Sequence, residues 1–494
     1  MKLKLTGHGY KYAVEQILLS MFPGEKPEYS FDTVIGSCEL IVESVLSYGA
    51  VYAQGTTVIH CGGKVYRGVA RVGLKRLSNK LLTDRFLQRV VKQSFFRAAV
   101  KCTGTQPVWG SLTGIRPAKL ASAALESGAS EKSASNMLSR EYYVSKERAD
   151  MCVRAAGAAL DLKKKIKPGD VALYVGIPFC PTRCAYCSFV SNSVEKSHGL
   201  IEPFVEVLLR EIRAMSDLVS ELGLRVITVY IGGGTPTALP DAALESVMAT
   251  LQSSFDFSGA GEYTVEAGRP DTITPNKLGI ISKYGAGRVS VNPQSMSGHV
   301  LSAIGRRHTP EDVLNAVHFV RQNKMALNMD IISGLPRDDP EGFGSTLDAV
   351  LGLNPENITV HTLSLKKGSR IMLEGTELPD GADVAAMLGY ASRKLSGGGY
   401  RPYYLYRQKF TSGGFENTGW SLPGYEGVYN ICMMEELCTV LALGGGGVTK
   451  IVSPGGKIER IFNAKYPREY IIRADRITEK AGKIKEEIQN AISI

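Results

Sequence analysis

From Val171 onward the chain alternates two rhythms of apolar and polar residues. Short apolar runs occur at VALYVGI (171–177), VITVYI (226–231), EYTVEA (262–267), RVSVNP (288–293), LNMDII (327–332) and ITVHTLSL (358–365). Brief, β-branched and bounded by turn residues, they read as strands. Between them apolar residues recur at helical spacing. The clearest case is Glu202–Leu222, where Val205, Leu208, Leu209, Ile212, Met215 and Leu222 share one face and Gly223 supplies a stop. Six strand-helix steps in about 200 residues predict a parallel sheet with right-handed crossovers, and a full eightfold barrel needs ~250. The expected fold class is therefore α/β, a partial (β/α)6 barrel over residues 166–375. Ligands of such a sheet gather at the C-terminal ends of its strands.

The flanks have other textures. Residues 1–165 alternate β-branched and polar positions around glycines and then turn helical from Leu77 to Lys101, with Ser145 as the cap of a further helix. They predict an N-terminal α+β domain. Residues 376–494 lose the strand-helix alternation. Glycine-rich and tyrosine-rich segments there lead to a terminal helix opening near Pro467. A C-terminal α+β domain that covers the substrate is expected.

Composition changes this picture in two places. No apolar run is long enough to span a bilayer, and the N-terminus has no apolar signal core, so a cytoplasmic protein is expected. Cytosolic thiols stay reduced, and clustered ones bind metal or do redox chemistry. The net charge of +10 fits either solubility or an anionic partner. The densest basic run, Lys163–Lys167, has no interleaved aromatics and reads as a linker, which disfavours nucleic acid.

Three of the nine cysteines fall within the loop after the first strand: Cys180, Cys184 and Cys187, spaced CxxxCxxC. A structural zinc site needs four closed ligands, and the nearest downstream histidine, His198, is a loose partner. Three soft thiolates better suit a [4Fe-4S] cluster with one iron left open. Cys38, Cys61, Cys102, Cys152, Cys432 and Cys438 read as small apolar fillers.

Later strand ends carry further candidates. GGGTPT follows the second strand with Gly233, Gly234 and Thr235, and glycines there let backbone approach a ligand. It lacks the Lys-Ser/Thr ending of a phosphate loop. Glu266 ends the third strand, Gln294 the fourth, Arg306 lies on the helix after it, and Asp330 ends the fifth. Singly, each reads as a helix-capping carboxylate, a solvated arginine or a turn residue. Their recurrence at successive strand ends argues for one site.

The CxxxCxΦC loop, with Tyr186 before its last cysteine, resembles that of the radical S-adenosylmethionine (SAM) enzymes. YVGIPFC, GGGTPT and GLPRD, within Val171 to Gly368, resemble the oxygen-independent coproporphyrinogen III oxidase (dehydrogenase) family. RPYYLYRQK, FENTGW, YNICMMEE and WGSLTGIRPAKL resemble its long Z-type branch. The resemblance implies a [4Fe-4S] cluster on Cys180, Cys184 and Cys187, whose open iron chelates SAM. It implies cofactor contacts from Tyr174, Tyr186, Phe189, Gly233, Gly234, Thr235, Glu266, Gln294, Arg306 and Asp330. The reaction implied is conversion of two propionates of coproporphyrinogen III to vinyl groups by a 5′-deoxyadenosyl radical, in heme synthesis. A flavodoxin- or ferredoxin-type protein would supply electrons, with the basic surface of residues 1–165 as its expected dock.

Two departures matter. Phe189 stands where the best-known branch has a fourth cysteine, and the related heme-chaperone branch also has an aromatic there. The stretch EAGRP replaces an EANP-like motif. A heme-binding chaperone and a heme-degrading radical SAM enzyme are thus the alternatives on the same tetrapyrrole theme. Substrate carboxylates need cations, for which Arg401, Arg407 and Lys409, interleaved with Tyr403, Tyr404 and Tyr406, are candidates. The competing reading is an exposed basic edge strand. His361, near the sixth strand end, reads first as a packed structural histidine and second as a heme or substrate contact.

Overall fold

The computed structural model describes residues 1–29, 40–187, 192–365, 369–408, 412–454 and 456–492. The chain divides into two compact units. One holds residues 1–117, 123–153 and 413–415, and the other residues 118–122, 154–412 and 416–494.

In the first unit a five-stranded sheet is built mainly from Lys2–Thr6, Ile41–Tyr48, Tyr52–Cys61 and Lys64–Gly73. The helix Lys80–Thr103 lies across the last two strands. It buries Val90, Val91, Phe95 and Phe96 against the core that also holds Ile17, Val42 and Ile59. Gly68 makes this possible, because a Cβ there would collide with the helix backbone at Ser94 and Ala98.

The second unit is organised on one eleven-stranded sheet. In chain order its strands are β1 (Asp170–Ile177), β2 (Arg225–Gly233), β3 (Glu262–Val265), β4 (Arg288–Ser290), β5 (Ala326–Ser333), β6 (Asn357–Thr362), β7 (Arg401–Arg407), β8 (Glu416–Ser421), β9 (Thr439–Gly444), β10 (Val448–Val452) and β11 (Ile458–Phe462). Their spatial order is β7-β8-β6-β5-β4-β3-β2-β1-β9-β10-β11. Strands β1 to β6 are the six foreseen, and all run parallel. The crossover helix Ile201–Glu221 buries Phe204, Leu208, Ile212 and Met215, and the chain leaves it at Gly223 with φ +60°.

Two features go beyond the alternation pattern. Strand β9 pairs parallel with β1, with Leu441 opposite Leu173 and Gly444 opposite Gly176, so a seventh parallel strand comes from the glycine-rich segment. Both glycines are needed, since a Cβ on Gly176 would meet the Gly445 carbonyl and one on Gly444 the Gly176 carbonyl. The strands of residues 401–462 also extend both edges of the central sheet, antiparallel at β8 and β10. Glu211 on the first crossover helix helps fix this return of the chain. Its buried carboxylate accepts from Gly444 N at 2.7 Å, Tyr470 Oη at 2.5 Å and Lys480 Nζ at 2.8 Å. No helix among the described residues is long and apolar enough to cross a membrane.

Candidate active site

The C-terminal ends of β1 to β6 open on a cavity of about 490 Å³. Its wall includes the three loop cysteines, Tyr174, Tyr186, Gly233, Gly234, Thr235, Glu266, Gln294, Arg306 and Asp330. The strand-end candidates therefore meet in one place. Phe189 and Lys409 lie outside the described residues, as does Cys38.

The cysteine loop leaves β1 through Phe179–Cys180, which pairs with Asn192–Ser193. A turn from Cys184 O to Cys187 N (3.1 Å) closes its centre. All three thiols are half-buried and free of disulfides. Thr235 Oγ1 donates to Cys180 Sγ at 3.5 Å, and Arg269 Nη1 lies 3.8 Å from Cys184 Sγ. Among the described residues no group of three His, Cys, Asp or Glu side chains is placed to hold a single metal ion. A zinc site would need such convergence, whereas a cubane cluster takes thiolates at separate corners. Soft thiol donors and adjacent positive charge fit that larger group.

The glycines after β2 have a more specific task than leaving room for a ligand. A Cβ on Gly234 would collide with the carbonyls of Phe179 and Ile177, while Gly234 N and Thr235 N each donate to those carbonyls at 2.7 Å. Gly233 adopts φ +101° beside Tyr174. The turn is glycine because it docks the root of the cysteine loop.

Arg269, from the altered EAGRP stretch, was not singled out by sequence. It is 3 % exposed, forms a two-pronged pair with Asp271 (2.9 Å on each arm) and donates to Thr182 Oγ1 at 3.1 Å in the cysteine loop. An arginine three residues after a strand-end glutamate is a signal only once the loop is known to lie opposite. Arg306 donates to Asn292 O at 2.5 Å and to Tyr186 Oη at 3.2 Å. Burial works against its charge, but Tyr186 and Cys184 outweigh burial and raise its pKa.

Acidic and basic groups are coupled on the floor. Glu266 accepts from Tyr230 Oη and Asn292 Nδ2. Burial first, then the charge of Asp330, push its pKa up to about 7. Asp330 faces His361 Nε2 at 3.4 Å. Burial opposes the charge on both, yet their pairing prevails, lowering the Asp330 pKa and raising that of His361. His361 Nδ1 also meets Asn417 Oδ1 at 3.3 Å, so this histidine is both packed and part of the cavity wall. Three buried polar atoms on the wall, Gln294 Oε1, Arg306 Nε and Asn417 Nδ2, have no hydrogen-bond partner. Gln294 further holds a left-handed φ of +65°. Unmet buried groups and local strain together mark a place built for a polar ligand.

The C-terminal segment supplies the remaining wall. Tyr429, on the helix Val428–Glu435, stacks between Tyr174 (5.9 Å between centroids) and Tyr230 (4.6 Å), and its N–H donates to Glu262 at 2.7 Å. The same helix brings Met433 and Met434 to the cavity. On β7 a bulge between Pro402 and Tyr404 sets the register, so Tyr404 and Tyr406 line the cavity, with the Tyr404 ring over Gly419. Arg401 is exposed at the strand's start, and Arg407, between Tyr406 and Gln408, is absent from the wall. The cavity wall includes Arg269 and Arg306, with His361 paired to Asp330.

Comparison with known proteins agrees with this geometry. The family model of the radical SAM superfamily matches residues 174–350. The oxygen-independent coproporphyrinogen-III oxidase-like protein HemZ of Bacillus subtilis is 39% identical over 395 residues, 78% of this chain and 78% of that protein. The heme chaperone HemW of Escherichia coli is 25% identical, over 62% of this chain and 77% of that one. Among solved structures, the coproporphyrinogen III oxidase HemN of Escherichia coli, described as a radical SAM enzyme, shares the fold. It has a TM-score of 0.52 and 23% identity, covering 64% of this chain and 72% of that one. The cofactors of this superfamily are a [4Fe-4S] cluster and SAM. Cysteine loop, cavity and sequence kinship lead to one conclusion: the chain belongs to the radical SAM superfamily, in the family of oxygen-independent coproporphyrinogen-III oxidase-like proteins.

Proposed function

We propose that the protein converts two propionate side chains of coproporphyrinogen III to vinyl groups without oxygen, each losing a β-hydrogen, CO₂ and one electron. The observation that carries this reading is the continuity of the cavity. One wall is the cysteine loop and the row of strand-end polar residues, and the other is Tyr404, Tyr406, Met433 and Met434, an apolar and aromatic surface suited to the pyrrole rings of a tetrapyrrole. When bound, the cluster and SAM supply a 5′-deoxyadenosyl radical able to take hydrogen from an unactivated carbon. Cys180, Cys184 and Cys187 would hold the cluster. The backbone of Gly233 and Gly234 with Gln294 and Arg306 would hold the polar groups of SAM, and Tyr174, Tyr186, Thr235, Glu266 and Asp330 would complete its contacts.

The remaining residues orient and protect. Arg306 and Arg269 place positive charge beside Cys184. Glu266, with a pKa near 7, keeps a proton at the floor in mildly acidic solution and can release it as a ligand cation arrives. The aromatic wall excludes water from a reactive radical.

A second reading, a heme-binding chaperone on the same scaffold, is favoured by Phe189 in the cysteine loop and by the kinship to the heme chaperone. His361, Met433 and Met434 on the wall are residue types that ligate heme iron. The experiment that separates the two is anaerobic incubation of the cluster-loaded protein with SAM, an electron donor and coproporphyrinogen III. Divinyl product with consumption of SAM supports the first reading. Stoichiometric heme uptake without turnover overturns it in favour of the second.

A further inference from the structure

The cysteine loop has an outer face as well as an inner one. Thr182 and Arg306 line the cavity, and both also line a second, open depression of about 530 Å³. The loop is stitched into this depression. Ala185 N donates to Ile304 O at 2.9 Å, and Ala185 O accepts from Ile371 N at 3.4 Å. The helices Gly298–Ala303 and Arg370–Glu374 thus hold the loop from either side.

Around it stand three exposed arginines: Arg183, inside the cysteine loop itself, Arg307 and Arg370. Arg307 pairs with Glu195 at 3.0 Å and Arg370 with Glu374 at 3.2 Å, both at exposed positions. Such surface pairs are worth less than about 1 kcal/mol and exchange readily for another carboxylate. His308, 3 % exposed, lies in the depression's wall with no hydrogen-bond partner on either ring nitrogen. A buried polar group left unmet beside an arginine cluster points to a partner that is absent here.

We propose that this depression is the docking face for an acidic one-electron carrier protein of the flavodoxin or ferredoxin type. The cluster must be reduced by one electron before it can act. The inner face of its loop belongs to the cavity, where SAM and substrate would sit. The carrier therefore approaches from the outer face, where Thr182 and Arg183 of the loop line the depression and the charge is positive. One electron leaves the carrier and enters the cluster, and no atom is transferred. Opposite charge speeds such encounters and makes them salt-dependent. This moves the dock expected on residues 1–165 to the cysteine loop. The inference rests on the cluster and not on the identity of the tetrapyrrole.

The test uses the full-length, cluster-loaded protein and R183E/R307E/R370E. Cluster bleaching is followed by stopped flow with reduced flavodoxin, and separately with photoreduced 5-deazariboflavin, a small reductant. The expected result is at least tenfold slower reduction by flavodoxin at low salt, converging with wild type at high salt, and reduction by deazaflavin within twofold of wild type. A flavodoxin rate within twofold of wild type, or equal slowing with both reductants, overturns the proposal. If the charge-reversed protein does not load its cluster, R183Q/R307Q/R370Q carries the same test with an expected slowing of about threefold in the flavodoxin rate alone. Loss of vinyl product with these rates intact would instead strike the substrate reading.

Discussion

Replacing Glu266 by glutamine probes the cavity floor. An ordinary glutamate titrates at 4.5, and burial with the nearby Asp330 charge raises Glu266 to about 7. Between those values the folded protein keeps a proton that the unfolded chain has released. The unfolded state then binds fewer protons, so stability falls as pH rises. The gap of about 2.5 units corresponds to about 3 kcal/mol, fully present below pH 4.5 and lost by about pH 7 to 8. Glutamine is neutral at every pH. It can accept from Asn292 and donate to Tyr230, whose hydroxyl can turn to accept. His361 has a raised pKa, so its contribution is lost as pH rises, and Asp330, with a lowered one, loses its contribution only as pH falls. Both remain in the variant and cancel to first order. The assay is the thermal midpoint of the two cluster-free proteins from pH 5 to pH 8. About 2.5 kcal/mol of this falls between pH 5 and pH 8, so at roughly 2 °C per kcal/mol for a unit of this size E266Q should gain about 5 °C relative to wild type across that range. A pH-independent difference, or a gain toward low pH, would refute the reasoning.

Further outcomes follow from individual contacts. Gly234→Ala sets a Cβ against the Phe179 and Ile177 carbonyls and should cost about 1–3 kcal/mol, displacing the cysteine loop, so iron content per chain after reconstitution should fall. Tyr429→Ala removes the ring between Tyr174 and Tyr230 and should cost about 3–5 kcal/mol, while Tyr429→Phe keeps the stack and stays within about 1 kcal/mol, both read by denaturation midpoints. Arg269→Gln removes positive charge and a donor beside Cys184. At about 1 kcal/mol for such a contact, the cluster potential should fall by about 40 mV in a redox titration followed by electron paramagnetic resonance.

The parallel sheet and its site were legible because strand alternation is local. Once β1 to β6 are parallel, their C-terminal ends must face one way, and Gly233, Glu266, Gln294 and Asp330 are brought together by topology alone. Strand β9 was not legible. TVLALG ends in a run of glycines, and its place beside β1 depends on Glu211, more than 200 residues away. The role of Arg269 depends likewise on a contact across 87 residues with Thr182. The facing of the β7 side chains was not legible for a third reason. A single bulge at Pro402–Tyr404 decides which side chains face inward, and it selects the tyrosines.

The most direct measurement follows the abstracted hydrogen. Coproporphyrinogen III deuterated at the propionate β-carbons is incubated anaerobically with the cluster-loaded protein, SAM and reductant, and 5′-deoxyadenosine is analysed by mass spectrometry. The account predicts deuterium in 5′-deoxyadenosine, with one SAM cleaved for each vinyl group formed. Deoxyadenosine free of deuterium, or no SAM cleavage while the protein binds heme, would contradict it.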